Sequence, residues 1–242
     1  MGERSLFVIY IPSPILICAA VIPAIALLWM VHRLDRVEPE PPGLLVRLVF
    51  MGVISTSIAK ALEYAGVLVL NGIFREETLL YDALLYFGVV GFAEEGAKYF
   101  LLKRRTWNIP DFNCRFDGVV YAVSVSLGFA LWENLGYVFT YGIGTALIRA
   151  VTAIPGHACF GVYMGCWYGQ AYAFTCQGDE PRSRTCRRVA LVLPAVLHGA
   201  YDFLADMTGR VSPTWFLAFV GAMFLLTFRL VRNLSRTDHY IR

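Results

Sequence analysis

Apolar residues in this chain come in long runs, not in a short helical or alternating period. The runs cover residues 11–31, 44–70, 79–102, 117–140, 146–175, 188–206 and 213–231, with short polar connections between them. Each reaches the roughly 18 residues that a bilayer crossing requires. The pattern predicts an all-α, polytopic membrane bundle of about seven transmembrane helices. With no visible repeat, low-complexity stretch or boundary, residues 1–242 form a single transmembrane domain. The missing repeat weighs mildly against common transporter architectures. The connection 32–43 holds Asp35, Glu38 and Glu40 among Pro39, Pro41 and Pro42, and reads as a polar turn. The first run is too long for the apolar region of a secretory signal. Glu3 and Arg4 precede it, no small-x-small site follows, and it is expected to be retained.

Composition agrees with this pattern: 57% of residues are hydrophobic and 16% charged, against about 25% charged in soluble domains. Positive charge then orients the spans. Arg33, Arg36 and Arg47 lie in or near the first connection, Lys103, Arg104, Arg105 and Arg115 in the third. Arg182, Arg184, Arg187 and Arg188 lie in the fifth, and Arg229, Arg232, Arg236 and Arg242 at the C-terminal end. The N-terminus and the even connections offer only Arg4, Arg75, Arg149 and Arg210. The positive-inside rule therefore places the N-terminus outside and the C-terminus in the cytoplasm of a cell-membrane protein. Short Arg clusters between apolar runs, with a net charge of +3, suit topology and not a nucleic-acid partner. Cys18, Cys159 and Cys166 lie in apolar runs, and Cys114, Cys176 and Cys186 flank them. Without a C-x-x-C spacing they read as packing residues.

Charged groups at membrane depth cost at least about 2.5–3.5 kcal/mol, so those that persist need a use. Glu94, Glu95 and Lys98 share the third run. Glu94 and Lys98, four apart, are expected to neutralise each other, and Glu95, about 100° away, to need another partner. Glu133 and Asn134 lie deep in the fourth run, and His157 follows Pro155 and Gly156 in the fifth. In the sixth, His198 stands four residues after Pro194 and four before Asp202. Prolines disturb the helix near both histidines. Asp202 either orients the His198 imidazole or ends its helix near the outer surface. Lys60 and Glu63 form a self-neutralising pair, and Asp117 reads as a helix N-terminal residue. Glu95, Glu133, His157 and His198 remain, and one shared cluster is the cheapest way to partner them all. By depth, Glu94 and Glu95 fall toward the cytoplasmic half and Glu133 toward the outer half, so convergence requires tilted or broken helices.

These residues resemble the PrsW family of bacterial intramembrane proteases. The resemblance lies in Glu94-Glu95-x-x-Lys98, Phe129-x-x-x-Glu133-Asn134, His157-x-x-x-Gly161 and His198-x-x-x-Asp202, in order on successive segments. Asp117-Gly118 and Glu38-Pro39-Glu40-Pro41 also match, and the likeness covers roughly residues 30 to 210. The family is related to the type II CAAX prenyl endopeptidases and to a scaffold subunit of gamma-secretase. In the endopeptidase relatives a His stands in place of Glu133, and an Asn or similar residue in place of Asp202.

The resemblance implies an endopeptidase acting on a membrane protein substrate in the lipid bilayer, an anti-sigma factor being one candidate. It implies catalytic-type motifs within 91–202, with the base either Glu94 or Glu95. Burial opposes ionisation of that pair and Lys98 favours it, so one acid can be ionised and its neighbour protonated. His198, supported by Asp202, can donate to the oxyanion, and Asn134 can help position substrate. Glu95 (or Glu94), Glu133, His157 and His198 also offer the ligands of a catalytic zinc or another divalent metal. No H-E-x-x-H spacing selects zinc, and metal-bound and metal-free mechanisms both stay open. The competing classes are a proton- or ion-coupled transporter, which also embeds Glu and His, and a non-catalytic scaffold.

Overall fold

The computed structural model describes residues 14–76, 78–209 and 212–241. Glu3, Arg4, Arg210 and Arg242, and the first residues of the 11–31 run, lie outside the described residues. The elements are helices α1 (Pro14–Leu34), α2 (Pro42–Ile73), α3 (Leu79–Ala83), a π-helical stretch (Leu84–Val90) and α4 (Gly91–Thr106). There follow α5 (Asp117–Tyr141), α6 (Ile143–Val151), α7 (Ala153–Cys176), α8 (Glu180–Asp206), a 3-10 turn (Met207–Gly209) and α9 (Thr214–Arg236). No strand occurs among the described residues. Five helical stretches are long and apolar enough to cross a membrane: 42–73, 117–141, 147–176, 180–209 and 214–236. A shorter apolar helix runs over 20–34. The 79–106 segment is interrupted by the π stretch and carries Glu94, Glu95 and Lys98. All seven expected segments are helical, two of them subdivided.

Local chemistry explains the boundaries. Pro42 opens α2 where its missing N–H costs nothing, the Thr78 side chain accepts the Tyr81 amide to start α3, and Asp179 accepts the Arg182 amide to start α8. Gly142 (φ 80°) separates α5 from α6, and Gly178 (φ 78°) ends α7, both in the left-handed region that glycine enters freely. The fifth segment breaks at Thr152 because Pro155 has no N–H for the Val151 carbonyl. The chain restarts at Ala153, with Pro155 in the first turn.

Helix α5 is the hub. It packs most extensively against α7 and α2, and its residues 117–130 are buried throughout. Small residues permit this. A Cβ on Gly128 would strike the Val49 carbonyl, and one on Gly52 the Val125 carbonyl. On α7, Gly161, Gly165 and Gly169 lie against residues 115–126, the backbone-to-backbone contact expected where lipid gives no hydrophobic drive between helices. Large apolar side chains such as Trp29, Phe50, Val69 and Leu225 face outward. Gly128→Val should destabilise the protein by about 1–3 kcal/mol or more by overpacking, read as a fall in the thermal unfolding midpoint in detergent. An unchanged midpoint would mean that α2 and α5 are not in backbone contact.

At the opposite end from α6, the α1–α2 connection folds onto α5. The Tyr121 hydroxyl donates to Glu40 Oε1 at 2.6 Å, and Asp117 Oδ2 accepts the Asn113 and Cys114 amides at 2.9 and 2.6 Å. Asp117 thus starts α5, as expected, but holds the loop behind it instead of its own first turn. Burial pushes the Glu40 carboxyl up to about 8 and that of Asp35 to about 6. All six cysteines are free thiols.

Candidate functional site

Two irregularities bring the polar residues together. In the π stretch the Gly91 amide donates to the Tyr86 carbonyl five residues back, which adds a residue to the turn ahead of Glu94. Helix α8 seats on this turn: a Cβ on Gly91 would strike the Ala195 carbonyl, and one on Gly199 would lie 2.8 Å from Phe87 Cα. The close approach sets His198 beside Glu94 and Glu95. The restart of α7 at Ala153 puts His157 one turn inside its helix, between α4 and α5.

Lys98 occupies the centre and is fully buried. Its Nζ donates to Glu95 Oε1 at 2.7 Å and to His157 Nδ1 at 3.1 Å, and lies 3.6 Å from Glu94 Oε2. It also sits over the Phe129 ring, 3.9 Å from the centroid. Lys98 pairs with Glu94 as expected, at 3.6 Å, and Glu95 finds a further partner in His198, but the shortest contact of Lys98 is to Glu95. A lysine reaches carboxylates three and four residues back, and this one lies nearer the residue at three. His198 Nδ1 contacts Glu95 Oε1 at 2.9 Å, while its Nε2 lies 3.4 Å from Asp202 Oδ2 and 3.8 Å from Glu94 Oε2. Asp202 is thus a longer partner of His198 than Glu95 is.

Because an ammonium can only donate, His157 Nδ1 accepts, and its proton sits on Nε2. That Nε2–H faces Glu133 Oε2 at 3.1 Å. Glu133 Oε2 also accepts from Arg149 Nη2 at 2.7 Å. A single imidazole thus joins the level of Glu95 to that of Glu133, which answers the difference in depth along the sequence. Asn134 is buried between Arg149 Nε (3.3 Å) and the Ala20 carbonyl (3.4 Å). It faces α1 and Arg149.

Glu94, Glu133, His157, His198 and Asp202 line one cavity of about 530 Å³, together with Lys60 and Arg149. Glu95 and Lys98 lie behind this surface, both 0% exposed. The Lys60–Glu63 pair forms as expected, at 2.8 Å, and Lys60 Nζ also comes within 4.0 Å of Glu94. A second space of about 410 Å³ between α2 and α5 shares Lys60, Glu133 and Tyr137 with the cavity and reaches outward-facing Trp132.

Glu94, Glu95, His157 and His198 place one ligand atom each within 4.8 Å of one another, all four buried. Two imidazoles and carboxylate oxygen form a donor set that suits zinc. The fit has a second support: Glu94 Oε2 and Glu95 Oε2 are buried with no hydrogen-bond partner. Glu133, expected among the ligands, falls outside this group, and its Oε2 contacts His157 and Arg149. Lys98 Nζ lies within 3.6 Å of three of the four candidates, Glu94, Glu95 and His157, so ammonium and metal would compete for this group.

Arg149 is the residue that sequence reasoning missed. Treated as a sparse outer charge, it lies inside the 146–175 run, where the rule that singled out Glu133 would have found it too. It packs over the Tyr137 ring, 3.8 Å from the centroid, while holding Glu133.

Comparisons with known proteins identify the family. A family model described as "PrsW family intramembrane metalloprotease" matches residues 40–229. Protease PrsW of Bacillus subtilis (strain 168) is 33% identical over 189 residues, 78% of this chain and 82% of the relative. Protease PrsW of Oceanobacillus iheyensis is 31% identical over 87% of this chain and 94% of the relative. That of Halalkalibacterium halodurans is 35% identical over 77% and 81%. No solved structure gives a significant match. The chain belongs to the PrsW family of intramembrane metalloproteases.

Proposed function

We propose that this membrane protease hydrolyses peptide bonds of single-span or membrane-associated protein substrates in the cavity between α4, α5, α7 and α8, with Glu94 as the base that takes a proton from water. The observation that supports this most is the convergence of Glu94, Glu133, His157 and His198, from four helices, on one cavity. Glu94 is the better base of the acidic pair because it lines that cavity, whereas Glu95 is tied to Lys98 and His198 behind it. His198 faces the cavity, and in a mechanism without metal its imidazolium, held by Glu95 at Nδ1, can donate from Nε2 to the carbonyl oxygen of the attacked bond. Lys98 and Glu133 fix the orientation and tautomer of His157 from its two sides.

Glu94, Glu95, His157 and His198 would hold a divalent metal, with zinc the best match to the donors. When bound, such an ion acidifies water and polarises a carbonyl. The space between α2 and α5 gives an extended segment a way from lipid to Glu133. The Arg-rich odd connections support an N-terminus outside and a C-terminus in the cytoplasm. An anti-sigma factor is the substrate class that the family resemblance suggests.

The test incubates purified protein with single-span substrates and measures its metal content. Wild type should cleave and carry metal; Glu95→Gln and His198→Ala should lose both. Full activity without metal would end the metal reading. Proton-dependent flux with no cleavage of any substrate would favour a transporter. Arg149→Met should reduce kcat by about 10–100-fold, as loss of a partner that orients site groups does. A variant with unchanged kcat would show that Glu133 needs only His157.

A further inference from the structure

A second group of acids gathers where α1 turns into α2 and α5 begins, remote from the cavity. Asp35 comes from the α1–α2 connection and is 4% exposed, Asp117 starts α5 and is 1% exposed, and Asp238 follows α9. Glu40, 3% exposed, lies beside them. Each uses one carboxylate oxygen locally. Asp35 Oδ2 accepts the Glu40 amide at 3.2 Å, and Asp238 Oδ1 the Phe116 amide at 3.0 Å; Asp117 Oδ2 and Glu40 Oε1 are bonded as described above. The other oxygen of each, Asp35 Oδ1, Glu40 Oε2, Asp117 Oδ1 and Asp238 Oδ2, is buried without a hydrogen-bond partner.

Among the described residues, no Lys, Arg or His forms an ion pair with any of these four. Asp117, Asp238 and Cys114 each place one donor atom within 4.8 Å of the others, and Asp35, outside that group, is tied to Glu40 by its hydrogen bond. Buried carboxylates that no ion pair neutralises require a cation or protons, and the histidine beside the group, His239, makes no ion pair with it among the described residues. The repeated pattern, one oxygen satisfied and one free on separate chain segments, is that of incomplete coordination.

We propose that Asp35, Asp117 and Asp238, with Glu40 alongside, bind a hard divalent cation, magnesium or calcium, at the membrane face opposite α6. Oxygen donors dominate the set, which suits these ions better than a thiolate-seeking metal. The bound ion fastens the tail after α9 to the start of α5 and to the α1–α2 turn. The same tail already meets that loop through the Ile241 amide, which donates to the Asn113 carbonyl at 2.8 Å.

The experiment uses the full-length protein in detergent, stripped with chelator and titrated with MnCl2 as the probe, bound Mn²⁺ being counted by electron paramagnetic resonance. Wild type and His198→Ala should both hold one Mn²⁺ that Asp238→Asn and Asp35→Asn bind at least 10-fold more weakly. Displacement by MgCl2 or by CaCl2 then tells which ion the site prefers. The two acid variants lie in separate, non-helical segments, so failure of one to fold leaves the other. Equal Mn²⁺ binding by wild type and the acid variants overturns the proposal. So does a His198→Ala protein that binds none, which would leave a proton-sharing cluster only.

Discussion

Replacing Glu94 by glutamine should lower cleavage of a single-span substrate by about 10²–10⁴-fold, the usual contribution of a general base, with little change in thermal stability. The amide keeps the volume of the side chain. Lys98 keeps its shorter contacts to Glu95 and His157, at 2.7 and 3.1 Å, so no buried charge is orphaned. Glu95→Gln differs in kind, because it removes the nearest carboxylate from a fully buried ammonium and from His198. That variant should lose activity and unfold at a lower temperature. Comparing kcat and the unfolding midpoint for both variants separates base from support. An active Glu94→Gln protein beside a stable, inactive Glu95→Gln protein would reverse the assignment.

The second large effect is on stability. Lys98→Met should cost about 3–5 kcal/mol, the range for removing one partner of a buried ion pair. Methionine fills much the same space but leaves Glu95 with no ammonium beside it, and Glu94 with only Lys60 at 4.0 Å. The double variant Lys98→Met/Glu95→Gln should recover part of the loss, with a coupling on the order of 0.5–3 kcal/mol between the two sites. Both unfolding curves should be recorded with chelator present, since a divalent ion would stand in for the missing ammonium. A Lys98→Met protein as stable as wild type would show that the carboxylates are held by something other than Lys98.

The sequence made the spans legible because bilayer crossing demands long apolar runs, a constraint that tertiary packing cannot override. The residues converging on the cavity were legible for the converse reason: charge in such runs is expensive, so Glu94, Glu133, His157 and His198 stood out. The partnering did not follow. Helical spacing alone assigned Lys98 to Glu94, whereas the nearer carboxylate is Glu95. Nothing local foretold the π turn at 84–90, whose extra residue sets the phase of α4 against α8. Arg149 was visible but was read by topology, which counts positive charges, before chemistry, which asks what each one touches.

The position of His198 bears on how such an enzyme is made without damaging its maker. Of the four helices that carry Glu94, Glu133, His157 and His198, α8 is the last to leave the ribosome, so every shorter nascent chain lacks His198 together with Asp202. While α4, α5 and α7 are inserting beside other unfinished membrane proteins, the proposed machinery is one histidine short. Under the proposed mechanism, competence to cut arrives only when the bundle is nearly complete, and the order of translation itself acts as a safety catch.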